Sequence, residues 1–365
     1  GMYTTHMADN EYITDSAASG TAMSTGVKTY DGAIGVDVNK QPVPNVLEIA
    51  KEAGKATGLV VTCRVNHATP AAFAAHSEHR NNYNAIMVDI LNNNVDVIFG
   101  GGSAYCVPKE LGGVRDDGRN LFNEFLAKGY TIIDSPSALP LATAAPVLGL
   151  FAPGDLAPEI DRDANKEPSL AEMTSKAINL LAKDQDGFFL MVEGSQIDFA
   201  GHDNDAPRNV RETIALDEAV TVAMAFAATN PDTLVVVAAD HETGALSIGK
   251  DYQFDPIVLR QVKASYGKIA NLIAEDGRSI VELMQEYASI ELTDEELMTI
   301  EQEEKAVRGI TSVLNARIGV IWGSGNHSGV MLPLSAHGAE ADLFAGFYDN
   351  TDIPKKIAEA MGLSF

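Results

Sequence analysis

Cysteine is scarce in this 365-residue chain: Cys63 and Cys106 are the only two, too few for a disulfide framework and not spaced as a metal knuckle. Cys63, inside an apolar run, reads as a buried strand residue. Basic residues are also few, 26 Lys and Arg against 51 Asp and Glu, for a formal net charge of −25. That balance argues against electrostatic capture of nucleic acid or anionic lipid and makes cations the expected partners. Tryptophan occurs once, as Trp322, and reads as a packing residue. No apolar run approaches the roughly 20 residues that span a bilayer. No basic stretch followed by an apolar segment opens the chain, which leaves the compartment open. Neither an internal repeat nor a low-complexity tract is found. What is present suits a globular protein: 45% hydrophobic and 7% aromatic residues, in a chain long enough for one large domain or two ordinary ones.

From about residue 44, apolar runs and helical periodicity alternate. Positions 46–53 read as helix, 57–63 as buried strand, 83–91 as helix and 95–100 as a strand ending in glycine. A second round places a helix at 170–182, a strand at 188–192, a long helix near 210–228 and a strand at 233–239. Short apolar strands bounded by helices define an α/β fold: a three-layer sandwich with a mainly parallel central sheet and helices on both faces. Between 250 and 318 charged helices take over, one opened by the capping signal Thr293-Asp294-Glu295-Glu296, before the apolar run 318–322 restores a strand pattern. The expected organisation is a core of residues 1–249 and 319–365 with a helical, cap-like insertion at 250–318. The Pro- and Ala-rich stretch 136–153 reads as a surface connection.

Ligands of parallel α/β sheets bind beyond the carboxyl ends of the strands. Here the strand at 188–192 runs into Glu193, then Asp198 and His202; the strand at 233–239 runs into Asp240 and His241; the run ending near Trp322 leads to His327. Singly, each Asp–His pair reads as a cap beside a surface histidine. Three at equivalent strand ends point to a cation, because carboxylates and imidazoles converging on one rim otherwise repel or titrate. Asp and His together suit zinc, and the i, i+4 spacing of Asp198 and His202 puts both on one helical face. Near the start, Asp15-Ser16 precedes a run of small residues, where Ser16 reads locally as an N-cap or as a phosphate site at a helix N-terminus. His67 and Thr69 follow a strand, and Arg80 is a candidate phosphate clamp or a surface charge. His76 and His79 are read as surface or packing groups on a helix leading to Arg80, and His337 as a loop residue without a role.

The blocks DSAASGTAMSTGVKTYDGAIGVD, HATPAAFAAH followed by Arg80, MVEGSQIDFAGHDND, VVVAADHETG and GNHSG resemble, in order and across the chain, the signature blocks of the alkaline phosphatases. The resemblance implies hydrolysis of phosphate monoesters through a phosphoserine on Ser16, with two zinc ions and a magnesium. It implies Asp198, His202 and His327 as ligands of the first zinc, and Asp240 and His241 of the second, with Ser16 completing that set in the reactive state. Glu193 and Thr69 match magnesium positions, Arg80 matches the arginine that binds two phosphate oxygens, and His67 lies near that third metal. Small phosphomonoesters would be substrates and inorganic phosphate the product. An extracytoplasmic, periplasmic location and a homodimer are further inheritances of the resemblance.

Two departures qualify it. The family carries an early strand ending in Gly-Asp-Gly-Met-Gly, whose Asp bridges the second zinc and the magnesium, and no such segment precedes Ser16 in this sequence. The expectation is a sheet short of one strand, a weak second zinc and a largely empty magnesium site. Phe199 also stands where many members have a basic residue. The alternatives are a phosphodiesterase or related superfamily hydrolase, or a metal- and phosphate-binding chain with little turnover. A serine nucleophile and the lack of a Cys/Ser-x-Pro-x-Arg setting favour the monoesterase.

Overall fold

The computed structural model describes residues 1–8 and 11–365. Its strands in chain order are β1 (Met2–Thr4), β2 (Ala56–Arg64), β3 (Val97–Gly101), β4 (Thr131–Ile133), β5 (Val147–Leu150), β6 (Phe188–Glu193), β7 (Leu234–Val237), β8 (Glu242–Thr243), β9 (Leu246–Ile248), β10 (Val320–Trp322), β11 (His327–Ser328), β12 (Leu332–Pro333), β13 (Ser335–Gly338) and β14 (Phe347–Asp349). The α-helices before residue 250 are α1 (Ser16–Thr25), α2 (Val46–Glu52), α3 (Ala68–Ala72), α4 (Tyr83–Asn92), α5 (Leu121–Ala127), α6 (Leu170–Leu181), α7 (Gln196–His202) and α8 (Ala206–Thr229).

Five strands form a wholly parallel sheet in the order β4-β5-β3-β2-β6. Strand β2 shows why both faces are covered. Successive side chains of a strand point to opposite faces, and Leu59, Val61 and Cys63 join Val46, Leu47 and Ile90 in one apolar cluster. Val60 instead meets Leu170, Met173 and Ala177 of α6 in another. Each such side chain contributes about 1.5–3 kcal/mol on full burial. This is the α/β sandwich expected from the sequence.

The sheet is interrupted beyond β6. Among the described residues β6 pairs only with β2, and β7 pairs only with β13. Between β6 and β7 lies a cavity of 1110 Å³ lined by Phe188, Leu190, Val192, Leu234 and Val236, with Glu193 and Asp240 where those strands end. The sheet is thus broken at this point.

Residues 250–318 contain, among those described, no strand but the helices α9 (Pro256–Gln261), α10 (Tyr266–Asp276), α11 (Ile280–Ala288), α12 (Asp294–Gln302) and α13 (Ala306–Ile318). They enclose an apolar cluster of their own, including Tyr266, Ile269, Leu283, Met284, Ile310 and Leu314. Thr293 and Glu296 form the capping box read from the sequence. The chain closes with α14 (Asp352–Ala360). No helix among the described residues is long and apolar enough to cross a membrane.

Four local readings are corrected. The stretch 136–153 contains β5, fully buried between β3 and β4, because Val147-Leu148-Gly149-Leu150 is a complete central strand inside Pro- and Ala-rich flanks. His76 and His79 lie in the irregular segment between α3 and α4, not on a helix, and His76 Nε2 bonds the Val43 carbonyl at 3.0 Å. His337 sits in β13 opposite Val235. Strand β10 pairs antiparallel with β9, outside the parallel sheet, so His327 reaches the rim through the short β11–β8 ladder instead.

Candidate active site

Ser16 is the first residue of α1, and Asp15, not Ser16, is its N-cap: the Asp15 side chain accepts from the Ala18 amide at 2.9 Å. Ser16 is 4% exposed, and its Oγ lies 3.0 Å from His241 Nε2. Arg80 is drawn to the same helix start by Asp15, to which Nη1 donates at 2.9 Å. Its Nη2 stands 3.3 Å from His67 Nε2. An arginine can only donate, so that nitrogen of His67 accepts and Nδ1, buried without a partner among the described residues, carries the proton. Burial, then the Arg80 and Arg64 charges, push the His67 imidazole down to about 3.

The sharpest geometry belongs to three groups from two distant segments. Asp198 and His202 lie on one face of α7, their Oδ1 and Nε2 3.3 Å apart. His327 Nε2 is 3.2 Å from His202 Nε2 and 3.6 Å from Asp198 Oδ1. Zinc with ligands at about 2.0–2.1 Å in a tetrahedron sets them about 3.3–3.5 Å apart. Both imidazoles are also prepared as ligands: His202 Nδ1 donates to the Gly325 carbonyl at 2.8 Å and His327 Nδ1 to the Thr14 carbonyl at 2.7 Å. Each Nε2 is thereby left with its lone pair toward the centre. Burial opposes ionisation of Asp198, but His327, His241, Thr243 and His202 outweigh it and hold the carboxyl well below its usual range. Burial likewise resists charging His327, and Asp198 with the Thr14 carbonyl raises it nonetheless.

A second set adjoins the first. Asp240 Oδ2 is 3.3 Å from His241 Nε2 and accepts from Thr69 Oγ1 at 3.3 Å. The His241 ring stacks on that of His327 with centroids 3.5 Å apart. Burial pushes the His241 imidazole down although Asp240 pulls it up. Glu193 faces the internal cavity rather than bulk water; burial, then the Asp240 charge, push its carboxyl up to about 8. Cys63 Sγ donates to Glu193 Oε2 at 3.8 Å.

Thr243 was not singled out by sequence reasoning, yet it joins the two sets. Its hydroxyl donates to Asp198 Oδ1 at 2.6 Å and accepts from His241 Nδ1 at 3.2 Å. The signal was the i, i+2 spacing from His241, which places both on one side of an extended segment. Gly201 is required for this approach: a Cβ there would stand 2.7 Å from the Thr243 carbonyl oxygen. Phe199, in place of a basic residue, packs edge-on against His67 at 5.5 Å.

What separates this site from a plain Ser–His pair is that the histidine's neighbours are spaced as ligands, not as a proton relay. The fold and site together define a class, the hydrolases of α/β fold, with residues that could hold a metal ion beside a buried serine. Residues 1–363 match the family model of alkaline phosphatase, and the chain belongs to that family. It is 42% identical to alkaline phosphatase 4 of Bacillus subtilis over 96% of this chain and 77% of that one. It is 34% identical to the alkaline phosphatase of Escherichia coli over 100% of this chain and 78% of that one. The cold-active alkaline phosphatase of a psychrophilic Shewanella superposes with a TM-score of 0.90 at 38% identity, covering 99% of this chain and 89% of the other. The enzyme is accordingly a hydrolase of phosphate monoesters.

Proposed function

We propose that this chain hydrolyses small phosphate monoesters through Ser16, with zinc held by Asp198, His202 and His327 and a second zinc by Asp240, His241 and Ser16. The observation that carries the reading is the convergence of the three ligand atoms at 3.2–3.6 Å with both Nδ1 atoms committed to carbonyls. Two close cations at phosphorus would neutralise charge on the attacking and leaving oxygens. Within the protein, Ser16 Oγ forms a bond to phosphorus as the bond to the leaving oxygen breaks, its proton passing to solvent while the leaving oxygen takes one from water and departs as the alcohol. Water then attacks the phosphoserine, freeing inorganic phosphate and restoring the hydroxyl. Arg80, already beside the helix start, binds two of the remaining phosphate oxygens.

The second set offers two protein ligands besides Ser16 and is the weaker of the two. Glu193, Thr69 and, beside them, His67 mark the magnesium position. Burial, then the Asp240 charge, raise the Glu193 carboxyl, so a dication there competes with its proton. A variant of the TAB5 alkaline phosphatase has been solved with bound magnesium. We take residues 1–249 and 319–365 as the catalytic core and 250–318 as an insertion, a division supported by the separate apolar cluster of α9–α13. The test is p-nitrophenyl phosphate turnover with mass spectrometry at acidic pH. Wild type is expected to accumulate phosphoserine at Ser16, and Ser16→Ala to lose about three orders of magnitude or more in kcat. A Ser16→Ala enzyme of near wild-type rate, or faster turnover of bis-p-nitrophenyl phosphate than of the monoester, overturns the reading.

A further inference from the structure

The three converging ligands come from segments more than a hundred residues apart, so something must hold the end of α7 against the approach to His327. Asn204 lies directly beyond α7, half-buried, with a left-handed backbone at φ 52. Its Nδ2 donates one hydrogen to the Gly201 carbonyl and the other to the Ser324 carbonyl, each at 2.8 Å. One acceptor is the last turn of α7, next to His202; the other is three residues before His327. The adjoining bond from His202 Nδ1 to Gly325 runs between the same two segments. Asn204 is itself fixed from the insertion: its carbonyl accepts from Asn315 Nδ2 at 2.9 Å, and Asn315 Oδ1 accepts from the Tyr266 hydroxyl at 3.0 Å. Tyr266 and Asn315 are almost fully buried.

We propose that Asn204 is a positioning residue for the Asp198, His202 and His327 cation site, clamping the end of α7 to the 324–325 segment at ligand spacing. The inference rests on the zinc reading of that site. An amide nitrogen has two hydrogens in one plane, which lets a single side chain tie two carbonyls. No aliphatic or hydroxyl side chain of similar size does this. The fixed spacing spares the cation the cost of gathering its ligands, as outer partners of metal sites do elsewhere. The bonds to Asn315 and Tyr266 give the helical insertion a part in that geometry without contact to the ligands.

Asn204→Gly tests this, because glycine adopts the left-handed backbone freely and only the amide is lost. Zinc affinity, measured by chelator competition on the full chain, is expected to weaken about ten- to hundred-fold while far-UV circular dichroism is unchanged. Activity at limiting zinc should fall and return at saturating zinc, a recovery that general loss of folding would not show. Asn204→Asp, which keeps size and backbone preference but turns acceptors toward two carbonyls, should lose at least as much. If wild type binds zinc and both variants bind it within twofold as tightly, the clamp is refuted. If wild type takes up no zinc at all, the metal reading itself fails.

Discussion

The hydroxyl of Thr243 donates to a carboxylate of one ligand set and accepts from an imidazole of the other. Removing it leaves Asp198 with one fewer hydrogen bond and frees the His241 ring to turn. Thr243→Val keeps the shape and should weaken zinc binding about tenfold or more in chelator competition; unchanged affinity would show that the hydroxyl positions nothing. At this scale the sequence was informative about groups whose chemistry is visible in their type. Asp198, His202, Asp240, His241 and His327 read singly as caps and surface groups, and pointed to a cation only through their joint occurrence at strand ends. Ser16 and Arg80 were ambiguous until the resemblance was recognised, and Asp15 is tied to Arg80 only by a fold that brings position 15 against position 80. Thr243 and Asn204 each act through hydrogen bonds that reach a segment distant in sequence, which for Thr243 only its spacing from His241 hints at and for Asn204 no residue pattern announces.

Helix α1 depends on its cap. Asp15 satisfies the Ala18 amide and holds Arg80, so Asp15→Ala should cost about 0.5–2 kcal/mol in denaturant unfolding and raise KM for phosphate esters as Arg80 loses its anchor. A change in stability with KM unaltered would separate the two roles. Helix α8 carries a different liability. Glu212, 3% exposed, accepts from the Glu159 amide at 2.6 Å, and burial pushes its carboxyl up to about 7; neighbouring Asp205 is pushed up to about 6, again chiefly by burial. A carboxyl raised in the folded state retains its proton there more strongly than in the unfolded chain. Stability from the neutral form is therefore present below about pH 4.5 and lost as pH rises through about 7. Glu212→Gln should gain about 1–3 kcal/mol over wild type at pH 8 and little at pH 5; Tm differences equal at both values would contradict this. Helices and strands with clean periodicity, such as α6, α8 and β2, were legible in the sequence. Strand β5 was not, because four apolar residues in Pro- and Ala-rich surroundings give too short a pattern.

Across the whole molecule, 26 basic against 51 acidic residues leave a net charge of −25, and the chain gathers carboxylates and imidazoles from α7, the ends of β6 and β7 and the β11–β8 ladder. The parallel sheet and its two covered faces followed from alternating apolar runs. The break between β6 and β7, with its 1110 Å³ cavity, depends on which strands pair across the sheet, which apolar runs alone do not reveal. Strand ends beside that cavity supply Glu193 and Asp240, whereas His202 and His327 are braced by carbonyls and Asp198 by the Thr243 hydroxyl. The account therefore predicts unequal cation sites. Its most direct test is zinc content per chain by inductively coupled plasma mass spectrometry after dialysis against graded free zinc. One zinc should remain at low free zinc and disappear in His202→Ala, with a second bound only at higher concentration. A chain that retains no zinc, or a His202→Ala variant that retains as much as wild type, would contradict the account.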